Sequence, residues 1–114
     1  MPTIYAEVTP NMRLWREEVS GPVLAVGRWR TLDDAVALAN STEYGLTAAI
    51  WTHDIGDALR TARRVRSGHI WINGVSQHFL GVPFGGMRTS GVGREEGRDE
   101  LLTYVETKTI NVML

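Results

Sequence analysis

The sequence has 114 residues, 43% hydrophobic and 22% charged, the balance of one ordinary globular domain with a single core. A net charge of -1 argues against a nucleic-acid partner, and no apolar run approaches the ~20 residues of a membrane span. Cysteine is absent, which excludes disulfides, thiolate zinc sites and a cysteine nucleophile within this chain and makes the cytoplasm the expected compartment.

The first residues, Met1 to Glu7, have neither a basic start nor a long apolar stretch, so no signal peptide is expected. Residues 3–8 alternate loosely and have strand character. Pro10-Asn11 marks a turn, and Gly21-Pro22 is a strong break. Val23 to Gly27 is a short apolar run, read as a buried strand. Thr31 is a good N-cap, and Asp34 stands where a capping-box acid would. Leu32, Ala35, Val36 and Ala39 share one face of the helix that follows, which should stop near Asn40.

Residues 46–51 form the next strand. Asp54 caps a second helix, expected over 54–66, with Ile55, Ala58, Leu59, Ala62 and Val65 as its apolar stripe and Gly68 as its stop. Arg60, Arg63, Arg64 and Arg66 complement that helix's C-terminal end as a solvated face. Residues 69–73 are a strand again. Strand, helix, strand at this spacing is a βαβ unit, so the fold class is α/β with a parallel sheet.

Asn73-Gly74 has hairpin chemistry, but no alternating strand follows, so Val75 to Gly81 is read as a long loop. Loops at the carboxyl ends of parallel strands are where ligands usually bind. From Pro83 to Gly97 the chain is glycine-dense and should be a shaped loop. Gly91-Val92-Gly93 is no dinucleotide fingerprint: no strand precedes it, and its third glycine comes one place late. A helix can begin at Arg94, with Glu95 and Glu96 in its first turn, and carry Leu101 and Leu102. Thr109 to Leu114 has strand character without a partner nearby in sequence. The three histidines, His53, His69 and His78, lack metal-ligand spacing.

Four stretches together resemble one family. Glu17-Glu18-Val19-Ser20-Gly21-Pro22-Val23 is similar to the Glu-Glu-Ile-Phe-Gly-Pro-Val segment of aldehyde dehydrogenases. Gly68-His69-Ile70-Trp71-Ile72-Asn73 resembles their Gly-Thr-Val-Trp-Val-Asn strand. Pro83-Phe84-Gly85-Gly86, followed by Ser90-Gly91-Val92-Gly93-Arg94-Glu95, resembles their Pro-Phe-Gly-Gly and Ser-Gly-x-Gly-Arg-Glu signature. Tyr104-Val105-Glu106-Thr107-Lys108-Thr109 is similar to the closing Tyr-Thr-Glu-x-Lys-Thr. The resemblance covers nearly the whole chain, whereas complete members of the family are several times longer.

The resemblance implies that residues 1–106 are the C-terminal part of an aldehyde dehydrogenase catalytic region and 107–114 its oligomerisation strand. The catalytic cysteine and the general-base glutamate would then lie upstream of Met1. In the family a thiolate attacks the aldehyde, hydride passes to NAD(P)+, and water hydrolyses the resulting thioester. The cofactor is therefore NAD or NADP in the longer parent, and none is expected on this chain alone. Glu18 matches the glutamate that accepts hydrogen bonds from the nicotinamide ribose, against the alternative of a solvated acid. Ser20 departs from the family pattern, where a phenylalanine packs near the nicotinamide. Phe84 matches the phenylalanine beside the aldehyde pocket, against simple packing of the loop. Residues 75–82 correspond to the loop at the substrate entrance, and His78 and Phe79 are its substrate-binding candidates. Arg94 and Glu106 read as structural groups near a subunit contact. The expected partners are an aldehyde in the full-length parent and a second copy of the chain, paired as a dimer through the C-terminal strand. The alternative is a non-catalytic, self-associating relic.

Overall fold

The capping residues and the apolar stripes set the architecture. The computed structural model describes all 114 residues. Strand β1 (Thr3–Tyr5) pairs in parallel with β2 (Val23–Ala25), and between them lies one helical turn, α1 (Arg13–Arg16). Helix α2 (Leu32–Ala39) leads to β3 (Thr47–Ile50), helix α3 (Ile55–Arg64) and β4 (His69–Ile72). β3 and β4 pair in parallel, with Ala48 opposite Ile70 and Ile50 opposite Ile72. The βαβ unit is thus present, but the strands form two separate pairs rather than one continuous sheet.

Both expected caps are made. Thr31 and Asp34 exchange reciprocal bonds of 3.1 Å at the start of α2, and the Asp54 carboxylate accepts from the Asp57 amide at 2.8 Å. The end of α3 is set differently from the expectation. The Asn40 side chain accepts from the Arg66 amide at 2.7 Å and donates to the Arg64 carbonyl at 2.9 Å, so the helix closes at Arg64 and Gly68 is not its stop. At the other end of the unit Asn73 takes a left-handed φ of 54°. Its side chain accepts from the Thr52 amide and donates to the Thr52 carbonyl, each at 2.9 Å, tying the end of β4 to the end of β3.

Near the C-terminus one helix boundary is corrected. No helix starts at Arg94, because Glu95 and Phe84 bond each other's backbones in an antiparallel bridge, 2.8 Å both ways. The short helix that carries Leu101 and Leu102 is present but begins at Arg98 and is of the 3-10 type, Arg98–Tyr104, with Asp99 and Glu100 in its first turn; a further 3-10 turn spans Arg88–Ser90. Thr109 to Leu114 forms no strand in this chain; every residue from Val105 onward is exposed and without secondary structure.

The expected single core is also missing. Only 6 of 114 residues are buried, and the apolar ones are Val8, Val36 and Ala58. Ile4, Trp29, Trp51, Leu80 and Val92 all stand in solvent. The radius of gyration is 18.8 Å, against about 13 Å for a compact chain of this length. Composition supplied enough apolar residues for a core, but the path of the chain spreads them over an envelope of 72 × 33 × 25 Å. No helix is long and apolar enough to cross a membrane.

Candidate functional site

The site grows from the end of β4. His69 and Trp71 are two apart on the strand, so their side chains share one face. Their rings lie 4.7 Å apart, centre to centre. Phe84 comes to that face from the glycine-rich segment, 5.4 Å from His69. Its position is fixed by the backbone bridge to Glu95 and by a close approach one residue on. A Cβ on Gly68 would meet the Gly85 carbonyl oxygen at 1.8 Å, so the segment can cross the start of β4 only where residue 68 lacks a side chain.

His78 arrives from the loop after β4. Its ring stands 4.7 Å from Phe84, 5.9 Å from Trp71 and 6.0 Å from His69. The loop is held from both sides. Trp71 Nε1 donates to the Gln77 carbonyl at 2.8 Å, and the Gly81 amide donates to the Glu96 carbonyl at 2.9 Å. Glu96, with a φ of 62°, turns its carboxylate toward the loop, 2.8 and 3.0 Å from His78 Nδ1. The result is a wall of four rings and one carboxylate.

Glu18 lies elsewhere. It is exposed and borders a groove of about 330 Å³ with Thr42, Thr47, Ser67 and Ser90. Leu46 and Ser90 border both this groove and a second, of about 390 Å³, which Phe84 also lines. The Ser90 hydroxyl accepts from the Gly45 amide at 2.9 Å, fixing the partition between the two. A third groove, about 530 Å³, runs between α2, α3 and β3 and is lined by Trp29, Val36, Ile50 and other apolar groups. It has no convergent set of polar groups and reads as a face left bare, not as a site.

The structure therefore brings His78 and Phe84 together and leaves the other two candidates apart. Phe79 is 61% exposed and joins none of the ring contacts. His69, Trp71 and Glu96 belong to the wall but were not legible as site residues. The alternation along β4 could have pointed to the first two. Nothing local marks Glu96, whose partner is 18 residues away. The shifted acids lie outside this wall: the Arg13 guanidinium holds the Glu17 carboxyl below its ordinary range, and the Thr31 amide does the same for Asp34.

Comparison with known proteins covers almost all of the chain. The sequence pattern of the aldehyde dehydrogenase family matches residues 1–110. Aldehyde dehydrogenase tropH from Talaromyces stipitatus is 48% identical over 113 residues, which are 99% of this chain and 22% of that protein. Aldehyde dehydrogenase [NAD(P)+] 1 from Saccharomyces cerevisiae is 41% identical over 99% of this chain and 22% of its own length. The crystal structure of betaine aldehyde dehydrogenase from Staphylococcus aureus in complex with NAD+ superposes with a TM-score of 0.87 at 41% identity, covering 90% of this chain and 20% of that one. The chain thus spans roughly a fifth of the length of the relatives it matches.

Proposed function

Since the chain belongs to the aldehyde dehydrogenase family, we propose that it is the C-terminal segment of an NAD(P)+-dependent aldehyde dehydrogenase, which oxidises an aldehyde to a carboxylic acid. The observation that carries this reading is the pairing of a near-complete match with an incomplete body. The chain aligns over 99% of its length with 22% of a relative, and alone it buries only 6 of 114 residues. The exposed apolar faces are then surfaces that the rest of the enzyme covers.

Within that enzyme Glu18 contributes to the cofactor site. Its carboxylate has no cation partner in this chain and borders an open groove. Two carboxylate oxygens can accept from the two vicinal hydroxyls of a ribose, so the residue fits the group. NAD(P)+ supplies the hydride acceptor. Phe84, His78 and Phe79 contribute to the substrate entrance, where Phe84 and His78 offer an apolar face with one polar edge. A thiol nucleophile is not among these residues, so the chain alone should oxidise nothing.

A second reading, a non-catalytic self-associating relic, is favoured only by the bare C-terminal tail, where Ile110, Val112 and Leu114 are exposed. The test is NADH formation from a panel of aldehydes, by the full-length protein that carries this chain and by the 114-residue chain alone. Turnover by the first, raised KM for NAD+ in Glu18→Ala, and none by the second support the first reading. Turnover by the pure chain overturns it.

A further inference from the structure

The substrate-entrance reading leaves one contact unexplained. His78 is bound by a carboxylate from a different segment, at 2.8 and 3.0 Å, and the bond goes to Nδ1. We propose that Glu96 is the positioning residue for His78: it fixes the neutral imidazole as its Nδ1–H tautomer and leaves Nε2 as a hydrogen-bond acceptor at the entrance, selecting aldehydes that carry a hydroxyl or amino donor over purely alkyl ones. The proposal rests on the reading of residues 75–82 as the entrance loop.

The chemistry is that of any imidazole with one nitrogen committed. An ionised carboxylate accepts only, so the nitrogen facing it must donate. In the neutral ring the other nitrogen then carries the lone pair. Nε2 makes no hydrogen bond within the chain, and the side chain is 38% exposed, so a ligand can reach it. The pair is also held in place from outside. The Glu96 amide donates to the Glu100 carboxylate at 2.8 Å, and the Glu96 carbonyl accepts from Gly81 at the far end of the loop. Phe84 and Trp71 pack against the imidazole at 4.7 and 5.9 Å between ring centres, tilted and edge-on. An alkyl substrate would leave Nε2 without a partner as it displaces water, whereas a donor-bearing one would satisfy it.

Two readouts on the full-length protein test this, with the variants Glu96→Leu, Glu96→Gln and His78→Phe. Nitrogen-15 NMR of the neutral His78 ring should show Nδ1–H favoured by about tenfold; this preference should vanish in Glu96→Leu and be largely restored in Glu96→Gln, whose amide oxygen can still accept. The ratio of kcat/KM for a hydroxylated aldehyde over its alkyl counterpart should fall about tenfold in Glu96→Leu and His78→Phe, mostly through KM, and recover in Glu96→Gln. An Nε2–H ring in the unsubstituted protein, or a tautomer ratio indifferent to Glu96→Leu, overturns the positioning role. An unchanged substrate ratio with the tautomer as expected overturns the selectivity. Failure of the underlying functional reading looks different: no aldehyde is oxidised by any variant while the NMR result stands, and the selectivity falls with it.

Discussion

Gly68 runs so closely beneath Gly85 that a methyl group on its Cα would stand 1.8 Å from the Gly85 carbonyl oxygen. Backbone, not a flexible side chain, is what it would strike. Gly68→Ala must therefore push the glycine-rich segment off the start of β4 and move Phe84 with it. The expected cost is about 2 kcal/mol or more. Gly21, with open space around it, is the control, and Gly21→Ala should stay within about 0.5 kcal/mol. Denaturant unfolding of the two variants measures this; equal stability would show that the segment does not pack as described.

The α2 cap gives a second prediction, with a sign. Thr31→Ala removes one of two reciprocal bonds and should cost about 1 kcal/mol. The Asp34 carboxyl is held below its ordinary range, first by the Thr31 amide. A group with a lowered folded pKa stabilises above its unfolded value and loses that contribution as the pH falls through the folded one. Helical ellipticity should thus fall on acidification below the ordinary carboxyl range, and less steeply in Asp34→Asn. An acid branch unchanged by that substitution would remove Asp34 from the account.

Asn73 is the third. It holds a left-handed φ of 54° and makes two bonds of 2.9 Å to Thr52. Asn73→Ala loses both bonds and keeps the strain, costing about 2 kcal/mol. Asn73→Gly also loses the bonds but relieves the φ, so it should be the milder of the two by thermal unfolding. The reverse order would contradict the left-handed assignment.

What could be read from the sequence was what is decided within one turn of helix or one strand. Thr31 with Asp34, Asp54 and the stripes on α2 and α3 placed both helices, and from them the parallel pairing of β3 with β4. The misses have other causes. Gly68 looked like a helix stop because nothing local shows that Asn40, 24 residues earlier, already caps Arg64. The acids at Glu95 and Glu96 looked like a first helical turn, but a bridge to Phe84 took the backbone elsewhere. A composition fit for one core does not say whether one chain contains it, and here the apolar residues face outward. Of the candidate site, Phe84 and His78 do meet, while Glu96 is joined to them only by the fold.

The tail carries the fourth prediction. Ile110 is 76% exposed, Val112 75% and Leu114 fully so, on backbone that pairs with nothing in this chain. Open donors and acceptors beside apolar side chains favour addition to another sheet. We expect the 114-residue chain to self-associate, most simply as a dimer, and a version ending at Glu106 to do so less. Light scattering at tens of micromolar decides between this and a monomer indifferent to the truncation, which would rule the prediction out.

The central claim is that this sequence is one end of a larger enzyme, and the mass of the native protein tests it most directly. Intact-mass measurement should find a polypeptide several times heavier than the 12.7 kDa of this chain, and peptide mapping should place these 114 residues within it. A native protein of 12.7 kDa would contradict the claim and leave the self-associating relic in its place.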